Sequence, residues 1–193
     1  MVKEMESIGL KDRNGNAPIW HIANNGCGQL PHEVYSDPAR KQKLTPTEIG
    51  CFASHYEIWN RIVSENLDRV LIMEDDNSFG HNFAKTLESL PDYDYFNFTH
   101  AAFGSSSQYH REPSGLPGIS KGYGFWFTNC YAITSSTAKL FLEKLAVQTD
   151  SVDYQILLLQ KDLNSFCCVP SVVTQNTRRF KSTIIHTKND RKK

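Results

Sequence analysis

Long hydrophobic runs are missing from this chain. No apolar stretch approaches the ~18 residues of a membrane-spanning helix, and the opening residues, MVKEMESIGLKDRNG, lack the apolar core of a signal peptide. A surplus of charge is missing too. Lys+Arg number 21 and Asp+Glu number 21, which excludes the basic excess of a dedicated nucleic-acid binder. Cysteine is sparse: the five residues Cys27, Cys51, Cys130, Cys167 and Cys168 are odd in number, two of them adjacent, with no C-x-x-C pair. Neither a disulfide framework nor a closely spaced zinc motif is expected from them. Reduced, mostly buried thiols are expected instead, in a cytoplasmic protein with at most peripheral contact to a membrane. There is no GxxxxGK[ST] loop, which removes the P-loop ATPases, and no GxSxG turn to mark a nucleophilic serine.

What is present suits one globular domain over 1–193, with an irregular part over 1–43 and a basic tail over 188–193. Of the 193 residues 39% are hydrophobic, including eleven Phe, eight Tyr and three Trp, so a core can form without staples. The first 43 residues are rich in turn signals such as Asn14-Gly15, Asn25-Gly26 and Gly28, and 3–9 reads as the tail of a helix. Thr45-Pro46-Thr47-Glu48 then places a hydroxyl at an N-cap, proline at the first helical position and Glu at the third, a capping box. Ile49, Phe52, Ala53, Tyr56, Trp59 and Val63 follow at helical spacing, which predicts a helix from 46 to about 64. Residues 69–73 (RVLIM) read as a buried parallel strand. Further expectations are a helix over 82–90, a strand over 93–99, an unordered functional loop over 103–124, a strand over 125–133, a serine-capped helix over 135–147, a helix over 151–161 and a strand over 166–169. Strands alternating with helices make an α/β fold with a mostly parallel, mixed central sheet.

The apolar run 69–73 leads straight into Glu74-Asp75-Asp76. Carboxylates at the end of a strand lie where α/β proteins bind ligands, and three together favour a hard cation such as Mg²⁺ or Mn²⁺ that also meets substrate phosphates. A solvated acidic turn is the alternative. On the preceding helix, Glu48, Cys51, Ser54 and His55 form a second group. Cys51 or Ser54 with His55 has the composition of a nucleophile and base, set against simple burial of a small thiol.

Residues 44–76, LTPTEIGCFASHYEIWNRIVSENLDRVLIMEDD, closely resemble the core of glycosyltransferase family 25, whose pattern is EIGC, SH, an aromatic, a strand and EDD. WHIANNG (20–26) resembles that family's A-x-x-G turn, NCYAITSSTAKLFLEKL (129–145) its later strand and helix, Val152-Asp153 its VD pair and Val169-Pro170 a V-P. The resemblance implies a GT-A-like, metal-dependent hexosyltransferase, inverting, that moves a hexose such as galactose from a UDP-sugar to a glycan, lipooligosaccharide or glycoprotein acceptor. By the same resemblance, Glu74 and Asp76 would hold Mn²⁺ or Mg²⁺, and Asp75, Glu48, Ser54 and His55 would line or support the donor pocket. Asp153 would be the catalytic base, its alternative being a helix-start carboxylate favoured by the dipole. Capping for Glu48 and a satisfied hydrogen bond for His55 are the structural alternatives. Tyr109, Tyr123 and Trp126 fall on the expected acceptor side, and His186 is a further candidate ligand. Family members open with an apolar strand and an INL-type turn that this sequence lacks. A fragment, a mis-started product or a non-catalytic relative that binds nucleotide or carbohydrate is therefore the competing expectation. A Mg²⁺-dependent phosphotransferase using the same carboxylates is a third.

Overall fold

The computed structural model describes residues 10–11, 15–35, 43–99 and 109–176. Its centre is a six-stranded sheet built from β2 (Arg69–Met73), β4 (Tyr95–Asn97), β5 (His110–Pro113), β6 (Ile119–Tyr123), β7 (Cys130–Thr134) and β9 (Ser165–Cys168). The spatial order is β2-β7-β4-β9-β6-β5, and only β4 and β9 run parallel; every other neighbouring pair is antiparallel. The sheet is thus mixed but mostly antiparallel, and the expectation of a mostly parallel sheet is corrected.

The physical reason for that difference lies in burial. Tyr131, Ile133, Tyr95 and Cys167 project into one core cluster, while their neighbours Cys130, Ala132, Phe96, Phe166 and Cys168 project into a second. Successive strand residues alternate faces, so a sheet covered on both sides yields continuous apolar runs whichever way its strands point. Burial on both faces wrote the pattern that resembled parallel strands.

Among the described residues four helices accompany the sheet: α1 (Pro46–Ser64), α2 (Phe83–Glu88), α3 (Ser135–Lys144) and α4 (Val152–Leu159), the last followed by a 3₁₀ turn at Gln160–Asp162. The α1 capping box forms as expected. Thr45 Oγ1 accepts from the Glu48 amide at 3.2 Å, and Glu48 Oε2 accepts from the Thr45 amide at 2.8 Å. Phe52, Ala53, His55, Trp59 and Ile62 are the buried face of α1, with Trp59 set edge-on against Phe141 of α3 at 5.0 Å. The cap of α3 is Thr134, which accepts from the Thr137 amide at 3.2 Å, where the sequence suggested a serine.

The expected loop over 103–124 is also corrected where it is described, since β5 and β6 form an antiparallel hairpin there. Its signal is hidden because all of β5 is exposed and carries no apolar alternation. Glycine is required at 122, where φ is +151° and an added Cβ would lie 2.0 Å from the His110 carbonyl oxygen. Short strands that no periodicity announced are β1 (Glu33–Val34) with β8 (Val147–Gln148), and β3 (Asn77–Phe79) with β10 (Val173–Gln175). The expected helix over 3–9 lies outside the described residues.

Candidate functional site

The end of β2 meets one flank of α1, and two small residues allow the chain before α1 to join them. Gly26, at φ +72°, crosses Gly50 so closely that a Cβ on Gly26 would lie 1.9 Å from the Pro46 carbonyl oxygen, and one on Gly50 2.5 Å from that of Asn24. Ser54 locks this crossing: its hydroxyl donates to the Gly50 carbonyl and accepts from the Asn24 amide, both at 2.8 Å. The A-x-x-G turn seen in the sequence is therefore a backbone-on-helix contact, and Ser54 is its clasp.

Glu74 leaves β2 held by its own backbone. Its amide donates to the Asn129 carbonyl at 2.8 Å, and its carbonyl accepts from Asn77 Nδ2 at 3.0 Å. Asn77 and Asn129, both buried, join at 2.7 Å, so the strand end cannot shift without breaking a satisfied amide pair. The Glu74 carboxylate stands 3.6 Å from His55 Nε2 and accepts from Thr128 Oγ1 at 3.4 Å.

His55 is oriented from behind. Trp59 Nε1 donates to Tyr131 Oη at 3.0 Å, and the same hydroxyl meets His55 Nδ1 at 2.9 Å. When that hydroxyl donates to Nδ1, Nε2 carries the ring proton and faces Glu74. All three side chains are essentially buried. Cys51, one turn before His55, completes the group, the three ligand-type atoms of Cys51, His55 and Glu74 lying within 4.8 Å of one another. Burial pushes the Cys51 thiol well up, and the carboxylates of Glu74, Asp153 and Glu48 add to the shift. Acids placed apart in sequence on α1, after β2 and on α4 thus act on a single thiol.

The remaining expected residues that are described have partners and settings of their own. Glu48 spends Oε2 on the helix cap, accepting from both the amide and the hydroxyl of Thr45. Asp75 is exposed. Asp76 turns toward β10, where Gln175 Nε2 donates to its Oδ2 at 2.6 Å, while its Oδ1 is buried with no hydrogen-bond partner among the described residues. Burial raises the Asp76 carboxyl above its ordinary range, with Glu74 and Asp75 adding to the rise and the Gln175 bond opposing it. Asp153 lies in the first turn of α4 and its Oδ1 accepts from the Tyr154 amide at 2.9 Å. Trp126 packs on Tyr154 at 5.8 Å, Tyr109 on Phe125 at 6.5 Å and Tyr123 on His110 at 5.7 Å. His186 and the basic tail lie outside the described residues.

Sequence reasoning missed the amides that shape the rim. Asn97, fully buried, donates through Nδ2 to the carbonyls of Trp126 and Phe127 at 3.1 and 2.9 Å. Gln160 accepts from the amides of Gly124 and Phe125 and donates to the Phe125 carbonyl, all within 2.9 Å. The loop so held carries Phe127 at φ +72° with 42% of its surface exposed, a strained aromatic beside Glu74's partner Thr128. Polar residues inside apolar runs, Asn97 and Asn129 above all, were the available signal.

The structure is a mixed α/β fold in which the acidic run Glu74-Asp75-Asp76 follows directly on the end of β2. The family model "Glycosyltransferase family 25 (LPS biosynthesis protein)" matches residues 24–156, a span that holds the Gly26 crossing, the acidic run and Asp153. The chain belongs to glycosyltransferase family 25. It is 36% identical over 130 residues to the human "Inactive glycosyltransferase 25 family member 3", covering 63% of this chain and 21% of that protein. It is 45% identical over 58 residues to human procollagen galactosyltransferase 2, covering 30% of this chain and 9% of the relative. Against zebrafish procollagen galactosyltransferase 1 the identity is 48% over 65 residues, 34% of this chain and 10% of the relative. The chain therefore spans about a fifth or less of the length of these relatives. Among the described residues no helix is long and apolar enough to cross a membrane.

Proposed function

We propose that this chain carries a GT-A-type donor site that binds a UDP-sugar with Mn²⁺ or Mg²⁺ and transfers its hexose, galactose foremost, to a glycan or glycoconjugate hydroxyl with inversion. The observation that carries the reading is Asp76 Oδ1, a buried carboxylate oxygen with no hydrogen-bond partner among the described residues, beside Glu74 and Asp75. Such a group is costly unless a cation meets it, and an all-oxygen donor set suits Mg²⁺ or Mn²⁺. Asp76 and Glu74 would hold the ion, which supplies the positive charge that balances the departing diphosphate. Gln175 keeps the Asp76 carboxylate oriented from the far side. Asp153 takes the proton of the acceptor hydroxyl at Oδ2, its Oδ1 being held by the Tyr154 amide. The hydroxyl oxygen then bonds to the anomeric carbon as the bond to the diphosphate oxygen breaks. Trp126 and Phe127, fixed by Asn97, offer aromatic faces for the acceptor sugar.

A second reading is favoured by the human relative whose name calls it inactive: the site binds nucleotide or sugar without turnover. Calorimetry with UDP, with and without Mn²⁺, tests the first layer. Mn²⁺-dependent binding that Asp76→Asn abolishes is expected, and absence of any UDP binding overturns the donor site. Labelled UDP-galactose then divides the readings, since transfer or hydrolysis lost in Asp153→Asn supports the enzyme and binding without either supports the non-catalytic relative.

A further inference from the structure

We propose that Cys51, His55 and Glu74 form a binding site for a soft divalent cation of the zinc class, separate in chemistry from the all-oxygen site at Asp76. The three ligand atoms already converge within 4.8 Å, and His55 Nε2 and Glu74 Oε1 stand 3.6 Å apart. Ligands around a tetrahedral ion with bonds of about 2.0–2.3 Å are themselves about 3.3–3.7 Å apart, so one pair is at that spacing and the widest must close by about 1 Å. Cys51 and His55 lie at i and i+4 on α1, which places both on one helical flank facing the end of β2.

A second, independent feature is the support behind the histidine. A ligating imidazole usually has its other nitrogen fixed by a hydrogen bond, and here His55 Nδ1 meets the buried hydroxyl of Tyr131, itself anchored by Trp59. On binding, the ring takes the tautomer whose Nδ1–H donates to Tyr131 Oη, freeing Nε2 for the ion. Cys51 Sγ releases its proton to solvent as the sulfur–metal bond forms. The carboxylates of Glu74, Asp153 and Glu48 all act on Cys51, so the cation enters a pocket of negative potential. Three protein ligands leave a fourth position open. Thiolate and imidazole select Zn²⁺ or Co²⁺ over Mg²⁺ and Mn²⁺.

The proposal stands without the donor reading, although both use Glu74, and its test contains no nucleotide. Co²⁺ added to the full chain should produce a thiolate-to-cobalt charge-transfer band that Zn²⁺ displaces and Mg²⁺ does not. Cys51→Ser should lose the band and bind Zn²⁺ at least 10-fold more weakly, while Cys27→Ser, at an exposed thiol, keeps both. No band in the native chain, a band surviving Cys51→Ser, or loss on Cys27→Ser alone overturns the site. Should Cys51→Ser fail to fold, Glu74→Ala serves, its side chain being 33% exposed. A 10-fold or greater loss of Zn²⁺ affinity is then expected, and unchanged affinity refutes the proposal.

Discussion

Replacing Tyr131 with phenylalanine removes one oxygen and strands two buried groups. Trp59 Nε1–H loses its acceptor at 3.0 Å and His55 Nδ1 loses its partner at 2.9 Å, with Trp59 and Tyr131 fully buried and His55 at 4% exposure. Leaving a buried donor or acceptor unsatisfied costs about 1–3 kcal/mol, and removing the hydroxyl's own burial penalty offsets part of the sum, so Tyr131→Phe should lose about 2–4 kcal/mol. Tyr95→Phe is the control. The Tyr95 hydroxyl is equally buried, but among the described residues it accepts only from Asn97 Nδ2 at 3.2 Å, and that group keeps the carbonyls of Trp126 and Phe127. Its loss should stay at about 1 kcal/mol or below. Urea unfolding followed by far-UV circular dichroism reads both, through the midpoint at unchanged slope. Equal losses for the two variants, or less than about 1 kcal/mol for Tyr131→Phe, would refute the claim that this hydroxyl organises His55.

Four further outcomes follow from the geometry. Thr45→Ala removes the N-cap of α1 and should cost about 1 kcal/mol in urea unfolding, while Glu48→Gln, which keeps an acceptor for the Thr45 amide, should cost less. Gly26→Ala places a methyl 1.9 Å from the Pro46 carbonyl oxygen at a positive φ, and a loss on the order of 3 kcal/mol is expected from the same measurement. His32 is held below its ordinary 6.5, chiefly by burial, with Nε2 on Gln148 Oε1 at 2.9 Å and Nδ1 buried without a partner among the described residues. Between its folded value and 6.5 the unfolded chain binds more protons, so stability should fall as pH drops through that window, less steeply in His32→Gln. Asp76 has the opposite sign: its raised carboxyl costs stability as pH rises past the ordinary carboxylate range. Asp76→Asn should therefore raise the urea midpoint at pH 7 even as it removes the proposed ion site, and a lowered midpoint would contradict the burial cost assigned to an oxygen with no partner among the described residues.

Local rules were readable wherever the controlling atoms are close in sequence. The capping box predicted the start of α1 at Pro46, because N-cap, proline and Glu48 act within one turn, and the helical spacing placed its end near Ser64, where it falls. The strand before Glu74 was readable from its apolar run, and the family from EIGC, SH and EDD. Strand direction was not readable, since two-sided burial writes the same letters for parallel and antiparallel neighbours. Nor was the β5–β6 hairpin, whose pairing rests on Gly122 clearing His110 and on no hydrophobic alternation.

The site divides along the same line. Sequence alone singled out the carboxylates at 74–76 and the helix bearing Cys51 and His55, because residue type and spacing carry their chemistry. It could not say that Glu74 turns toward His55 and Cys51 while Asp76 turns toward Gln175. Those directions are set by partners 52 to 99 positions away, Asn129, Tyr131 and Gln175. Hydrogen bonds of that span exist only once β7 has paired with β2 and β10 with β3. Sequence supplied the ligating atoms, and tertiary structure decided which of them meet.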